Sequence, residues 1–232
     1  MLKVETVEVS GFKGAILGMR NPFKNREKSD SFSIDETERA FGHTAVNRIG
    51  PKDLELAQKL IRAGGDDDSK FMRMIHVQAD VTAPLYWWKE YDTYKVSTVA
   101  NSESTMHTIT KREFTMDDFS WEMLDGDHLY ECYGEQMTQR EWAKETIDLL
   151  NHTRERYLKA HERQDPQIKL IWYQLIQMLP TAYMQKRTID LNYQTLRRIY
   201  FARKGHKLTE WKQFLEWIFE LPYADELITY KP

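Results

Sequence analysis

The reading of this chain turns on the stretch Asn192-Tyr193-Gln194-Thr195-Leu196-Arg197-Arg198-Ile199-Tyr200-Phe201-Ala202-Arg203-Lys204-Gly205-His206-Lys207. Helical spacing places Leu196, Ile199 and Tyr200 on one face, where they can meet a core. Gln194 and Arg198 lie four apart and share another face. The pattern predicts a helix over Leu191–Arg203, ended near Gly205, with Lys204, His206 and Lys207 beyond it. Cations in this place suit the negative end of a helix dipole. An arginine cluster also suits an anion such as a nucleotide phosphate, which the guanidinium fork binds bidentately. Composition leaves both readings open.

Working outward, a further helix is expected over Thr209–Glu220, stopped by Leu221-Pro222. Upstream, Leu179-Pro180 ends a helix carrying Ile168, Ile171, Trp172, Leu175 and Ile176. Asp165-Pro166 reads as its N-cap and first residue. A long helix runs from Thr138 to about His161, with Trp142, Ile147, Leu150 and Leu158 as its apolar stripe. The first half is less helical. Leu2–Val9 alternates and reads as a strand. Gly18–Ile34 and Gly42–Pro51 read as long loops. Asp53–Ala63 reads as a helix stopped by Gly64-Gly65. The acidic run Asp66–Asp68 is a solvated turn without the spaced ligands of a calcium loop. Phe71–Val81 alternates well, with Ile75, Val77, Ala79 and Val81 on a core face and Met74, His76, Gln78 and Asp80 on a polar one. The whole is an α+β pattern in one domain, residues 1–232, with a helical C-terminal half.

Bulk properties agree with a folded domain. The 232 residues are 41% hydrophobic and 12% aromatic, enough for a core and too aromatic for disorder. A net charge of −3 provides no global positive field, which argues against a nucleic-acid polymer or a membrane surface as partner. Cys132 is the only cysteine, so an internal disulfide or a multi-cysteine zinc site is excluded. No signal peptide and no apolar run approaching ~18 residues is read, so a cytoplasmic location is expected. A Gly-x-Ser-x-Gly elbow, a Gly-rich phosphate loop and a His-Glu-x-x-His pair are all missing, and the seven histidines are scattered.

A second stretch stands out, Ala83–His107: Ala-Pro-Leu-Tyr-Trp-Trp-Lys-Glu-Tyr-Asp-Thr-Tyr-Lys-Val-Ser-Thr-Val-Ala-Asn-Ser-Glu-Ser-Thr-Met-His. Pro84 can open a helix through Trp87, Trp88 and Tyr91. Ser97–Thr110 is irregular, then extended, and dense in hydroxyls and amides. Such a loop can donate hydrogen bonds to a planar ligand, or be an ordinary polar surface. Arg112–Asp127 is an acidic, aromatic connection.

Together these two stretches resemble the flavin-dependent thymidylate synthase family. Its signature runs Ala-Pro-x-x-x-x-Arg-Gln-x-x-Arg-His-Arg, followed by Asn-Glu-x-Ser-x-Arg. Here Ala83-Pro84 is kept, Lys89-Glu90 stands at Arg-Gln, and Thr93-Tyr94-Lys95 at Arg-His-Arg. The loop, one residue longer, runs Asn101 to Met106. The family's second segment has Leu-Pro and then Asn-x-Arg-Ser-Leu-x-Asn with a later Arg and His. Leu179-Pro180, Asn192, Gln194, Thr195, Leu196, Arg198 and Arg203 match its spacing, with His206 one residue early. Met19-Arg20-Asn21-Pro22 falls where the family has a short Arg-containing motif, and Ile176 where it commonly has another substrate-binding Arg.

The resemblance implies an α+β fold with an antiparallel sheet and a helical C-terminal half. It implies a homotetramer with active sites shared between subunits. It further implies FAD as cofactor, dUMP, methylenetetrahydrofolate and NADPH as partners, and reductive methylation of uracil C5 without an enzyme nucleophile. Carried over by position, Arg203 would contact substrate and help polarise the pyrimidine, and Lys89, Glu90 and Ser104 would line the nucleotide site. Lys95, Asn101, Asn192, Gln194, Arg198 and His206 would hold the flavin. Three functions follow: a divergent thymidylate synthase of this type, a flavoenzyme of the same fold acting on another nucleotide, and a non-catalytic nucleotide- or flavin-binding relative.

Overall fold

Alternation of apolar and polar residues sets the centre of the fold. The computed structural model describes residues 1–32, 48–65, 67–132 and 134–231. Among these residues the main sheet has four strands: β1 (Lys3–Ser10), β2 (His76–Pro84), β3 (Thr98–Ser102) and β6 (Met184–Asn192), in the order β1-β2-β6-β3. Val77, Ala79, Val81 and Ala83 of β2 are wholly buried, the expected core face continued by one more residue. Polar partners run along the other face. Asp80 accepts from the Thr188 hydroxyl at 2.6 Å, and Asp190 from Gln78 at 3.2 Å, with His76 Nδ1 3.0 Å away. Rising positions on β2 thus meet falling positions on β6, an antiparallel pairing. A two-stranded hairpin, β4 (Tyr130–Cys132) and β5 (Glu135–Met137), is also antiparallel.

Among the described residues the helices are α1 (Phe12–Met19), α2 (Pro51–Arg62), α3 (Leu85–Tyr91), α4 (Thr105–Thr108), α5 (Gln139–Glu162), α6 (Ile168–Met178), α7 (Tyr193–Arg203) and α8 (Thr209–Ile218). Short 3-10 turns lie at Asn21–Phe23, Arg26–Lys28, Asp68–Met74 and Met116–Asp118. The expected α+β class with an antiparallel sheet is the one observed.

Local readings shift in places. Helix α1 occupies a stretch left unassigned between the first strand and the loop, and it runs into the start of that loop. Gly14 and Gly18 lower its propensity, but they let Met74 approach: a Cβ on either would lie 3.2–3.4 Å from the Met74 methyl or sulfur. Gly11, ahead of it, has φ +91°, and a Cβ there would fall 1.8 Å from the Met74 carbonyl oxygen. The first residues of the extended stretch, from Phe71, form a 3-10 turn before β2 begins. Strand β6 takes the start of the expected Leu191–Arg203 helix. Asp165 forms a turn, its carboxylate accepting from Gln167 N at 2.8 Å, and α6 begins at Ile168, two residues beyond Pro166. The loop read over Gly42–Pro51 falls mostly outside the described residues, as do the end of the Gly18–Ile34 loop and Asp66.

By contact density the chain forms two units. One comprises residues 1, 82–91 and 102–186, and the other residues 2–81, 92–101 and 187–232. The first is centred on Ile109, Phe114, Phe119, Trp121, Ala143, Ile147, Leu150 and Leu175, with Ile176 and Tyr183 packed against them. The Phe119 and Trp121 rings stack at 4.2 Å. Asn151 locks the incoming chain by accepting from Phe114 N at 2.7 Å and donating to Phe114 O at 3.0 Å. Phe114, Phe119 and Trp121 therefore anchor an otherwise largely exposed stretch in this core. Trp142, expected on the buried stripe of α5, is 46% exposed.

The second unit holds Phe12, Tyr193 and Trp211 in its core. Phe12 meets the Tyr193 ring edge-on at 5.5 Å. Tyr193 donates its hydroxyl to Pro222 O at 2.6 Å, and burial pushes that phenol well above its ordinary pKa. Arg197 ties down the C-terminal turn, donating to the carbonyls of Ile228 and Tyr230 at 2.9 and 2.6 Å.

Candidate functional site

The two sequence stretches meet by hydrogen bonds within each unit. In the second, the loop before β3 lies along α7. Arg203 Nε donates to the Tyr94 hydroxyl at 2.8 Å, and the Thr195 hydroxyl donates to Val96 O at 3.3 Å. Arg203 is flanked by rings, its guanidinium carbon 4.6 Å from the Trp211 centroid and 5.5 Å from that of Tyr94. Trp211 is fully buried, so it forms a fixed floor. A cation so placed is held in plane and partly shielded from water. His206 faces the same indole at 6.2 Å, and its Nδ1 accepts from Leu208 N at 3.2 Å, which fixes the ring.

Lys95 and Asn101 are exposed on this loop and strand, and Arg198 is exposed on α7. Asn192 and Gln194 are buried and engaged internally. Asn192 caps α7, its side-chain oxygen accepting from Thr195 N at 2.9 Å. Gln194 accepts from Arg73 Nε and donates to the Ser69 hydroxyl at 3.2 Å. These two amides hold the helix in place.

In the first unit, α3 is clamped to the start of β6 and the segment ahead of it. Leu85 N and Tyr86 N donate to Tyr183 O and Thr181 O at 3.0 and 3.1 Å, and the Trp88 indole donates to Gln185 O at 2.9 Å. Glu103 N donates to Lys186 O at 3.0 Å. Lys89 is exposed on α3 and Glu90 half-buried. Ser104 is exposed at the start of α4, where its side chain makes no capping bond. Met106, at the position of the family's final Arg, is exposed, and Ile176 packs against the aromatic core.

With this geometry in view, comparison with solved structures is decisive for the fold. The chain aligns over 99% of its length with 98% of thymidylate synthase X from Helicobacter pylori, crystallised with FAD and dUMP, at a TM-score of 0.63 and 14% identity. A second structure of the H. pylori flavin-dependent enzyme with FAD and dUMP gives 0.62, with 98% of each chain covered and 14% identity. The fold is that of the flavin-dependent thymidylate synthases. The UMP/dUMP methylase PolB from Streptomyces cacaoi, bound with 5-bromo-UMP, gives 0.58 at 15% identity, covering 99% of this chain and 94% of that one. No protein-family model matches the sequence, and no curated protein matches it.

Sequence reasoning located Arg203 but missed its support. In the sequence Tyr94 stands only at the signature's His position, and Trp211 only within an expected helix. The signal for Trp211 was its place eight residues after Arg203, across the Gly205 turn. A buried polar knot elsewhere in this unit was not foreseen either. Asp53, wholly buried, accepts from Arg20, from the Ser29 hydroxyl at 2.6 Å, and from Asp30 N and Ser31 N at 3.2 and 3.1 Å. Among the described residues no group of three or more His, Cys, Asp or Glu side chains is placed to hold a metal ion. Nor is any helix there long and apolar enough to cross a membrane.

Proposed function

We propose that this chain is a flavin-dependent methylase of a pyrimidine nucleoside monophosphate, adding one carbon at uracil C5. The observation that carries the proposal is the seating of Arg203 between Tyr94 and Trp211 in a fold shared over nearly its whole length with enzymes crystallised with FAD and dUMP. In this reading Arg203 contacts the pyrimidine, and Lys89, Glu90 and Ser104 line the nucleotide site. Methylenetetrahydrofolate is the one-carbon donor and NADPH the reductant. The working form is a homotetramer, and its location is cytoplasmic.

The residues present suit the diphosphate of FAD better than its ring. Lys95 and Arg198 are exposed cations on segments joined by the Val96–Thr195 contact, and Asn101 is an exposed amide. Asn192 and Gln194 act through the helix they hold. Bound flavin would supply the hydride that completes the methyl group. This chain's own task is to orient the nucleotide and exclude water from it.

A second reading, the same chemistry on UMP, is favoured by the likeness to PolB and by Thr93-Tyr94-Lys95 in place of Arg-His-Arg. Expression in a thymidine-requiring strain separates the two. Rescue is expected for dUMP methylation, and Arg203→Ala abolishes it. Persistent rescue by Arg203→Ala removes the role given to that residue. A flavin-binding protein that gives no rescue contradicts the dUMP reading. Mass spectrometry of UMP incubated with enzyme, folate donor and reductant then decides the UMP reading.

A further inference from the structure

We propose that Tyr94 is itself a ligand-contacting donor, presenting its phenol proton to a keto oxygen of the bound pyrimidine. One hydrogen bond sets the direction of the phenol proton. A guanidinium has donors and no acceptor, so in the 2.8 Å contact Arg203 Nε donates and the Tyr94 oxygen accepts. The phenol proton therefore points away from Arg203. Among the described residues no acceptor takes that proton.

The hydroxyl is nonetheless rigidly held. The Tyr94 ring meets the buried Trp211 edge-on at 6.0 Å, and Arg203 lies over both rings. The Tyr94 carbonyl accepts the Thr98 hydroxyl, which turns the loop back into β3. A half-buried donor fixed from three sides, with its proton unclaimed beside the cation assigned to the substrate, is organised for a neutral acceptor such as a keto oxygen. An oxygen of this kind gains from a nearby cation and a neutral donor together. The role rests on the nucleotide reading of Arg203.

The test is calorimetric titration of the full chain with UMP and dUMP and with their 2-thio and 4-thio analogues, for the wild type and for Tyr94→Phe. A thiocarbonyl accepts hydrogen bonds more weakly than a carbonyl. The wild type is expected to prefer oxygen at one of the two positions. Tyr94→Phe is expected to bind the keto nucleotide about tenfold more weakly and to lose that preference. The loss of preference is a signature that a merely structural role does not produce. Full affinity in Tyr94→Phe, or an unchanged oxygen preference, overturns the donor role alone. Should the variant fail to fold, a wild type indifferent to sulfur at both positions overturns it as well. A wild type that binds neither nucleotide overturns the nucleotide reading, and this role with it.

Discussion

Asp53 and Asp118 show how single carboxylates secure each unit. Burial alone would push the Asp53 carboxyl up, but hydrogen bonds from Ser29, Ser31 and Arg20 outweigh it and hold the group below the usual range. For Asp118, burial is likewise outweighed by Arg112 and Thr115. A carboxyl depressed in the folded state stabilises fully above its unfolded pKa, about 4. That contribution fades as pH falls through the lower folded value. The urea midpoint is therefore expected to hold from neutrality to about pH 5 and to fall below about pH 4. Asp53→Asn should flatten part of that fall, and an unchanged acid limb would contradict the assignment. The two pairs differ in worth. Arg20 and Asp53 are both buried, so Asp53→Ala strands a buried cation, a loss of about 3–5 kcal/mol. Arg112 is 67% exposed, and solvent screening leaves its pairing worth about 1 kcal/mol or less. Neither knot was legible in the sequence, because Ser29, Ser31 and Asp53 are linked only by the folding of a loop whose polar composition reads as surface.

At the scale of elements, helix α7 is the one that carries the site. Its cap, Asn192, is buried, and Asn192→Ala should lower stability by about 1 kcal/mol in chemical unfolding. If nucleotide affinity falls while stability holds, Asn192 reaches the ligand and its role as a cap is secondary. In the other unit, Trp121 stacks on Phe119 and is 8% exposed, so Trp121→Ala is expected to cost about 3–5 kcal/mol. A loss below about 1 kcal/mol would mean that Trp121 does not belong to the core. Helix α5 was readable because its cap and its apolar spacing agree, Thr138 forming a capping box with Glu141, and α8 was readable from apolar spacing alone, since Leu208 at its start makes no capping bond. Strand β6 was not. Its Lys186-Arg187-Thr188 run gives no alternating signal, since its polar side chains are satisfied by Asp92 and Asp80 on neighbouring chain segments.

For the whole molecule, the order of elements and the spacing from Pro180 to Arg203 told more than residue identity. At 14% identity the fold persists, because apolar patterning and helix caps tolerate substitution that a binding signature does not. The site was half legible. Arg203 could be found by spacing, while the aromatic seat built by Tyr94 and Trp211 depends on contacts across 109 and 8 positions of sequence. The central claim, that this fold serves a flavin and a nucleotide, is tested most directly by the visible absorption spectrum of the purified chain, before and after FAD is added and unbound cofactor removed. A retained flavin band is the result predicted. A protein that stays colourless, neither copurifying with FAD nor taking it up, would contradict both enzymatic readings.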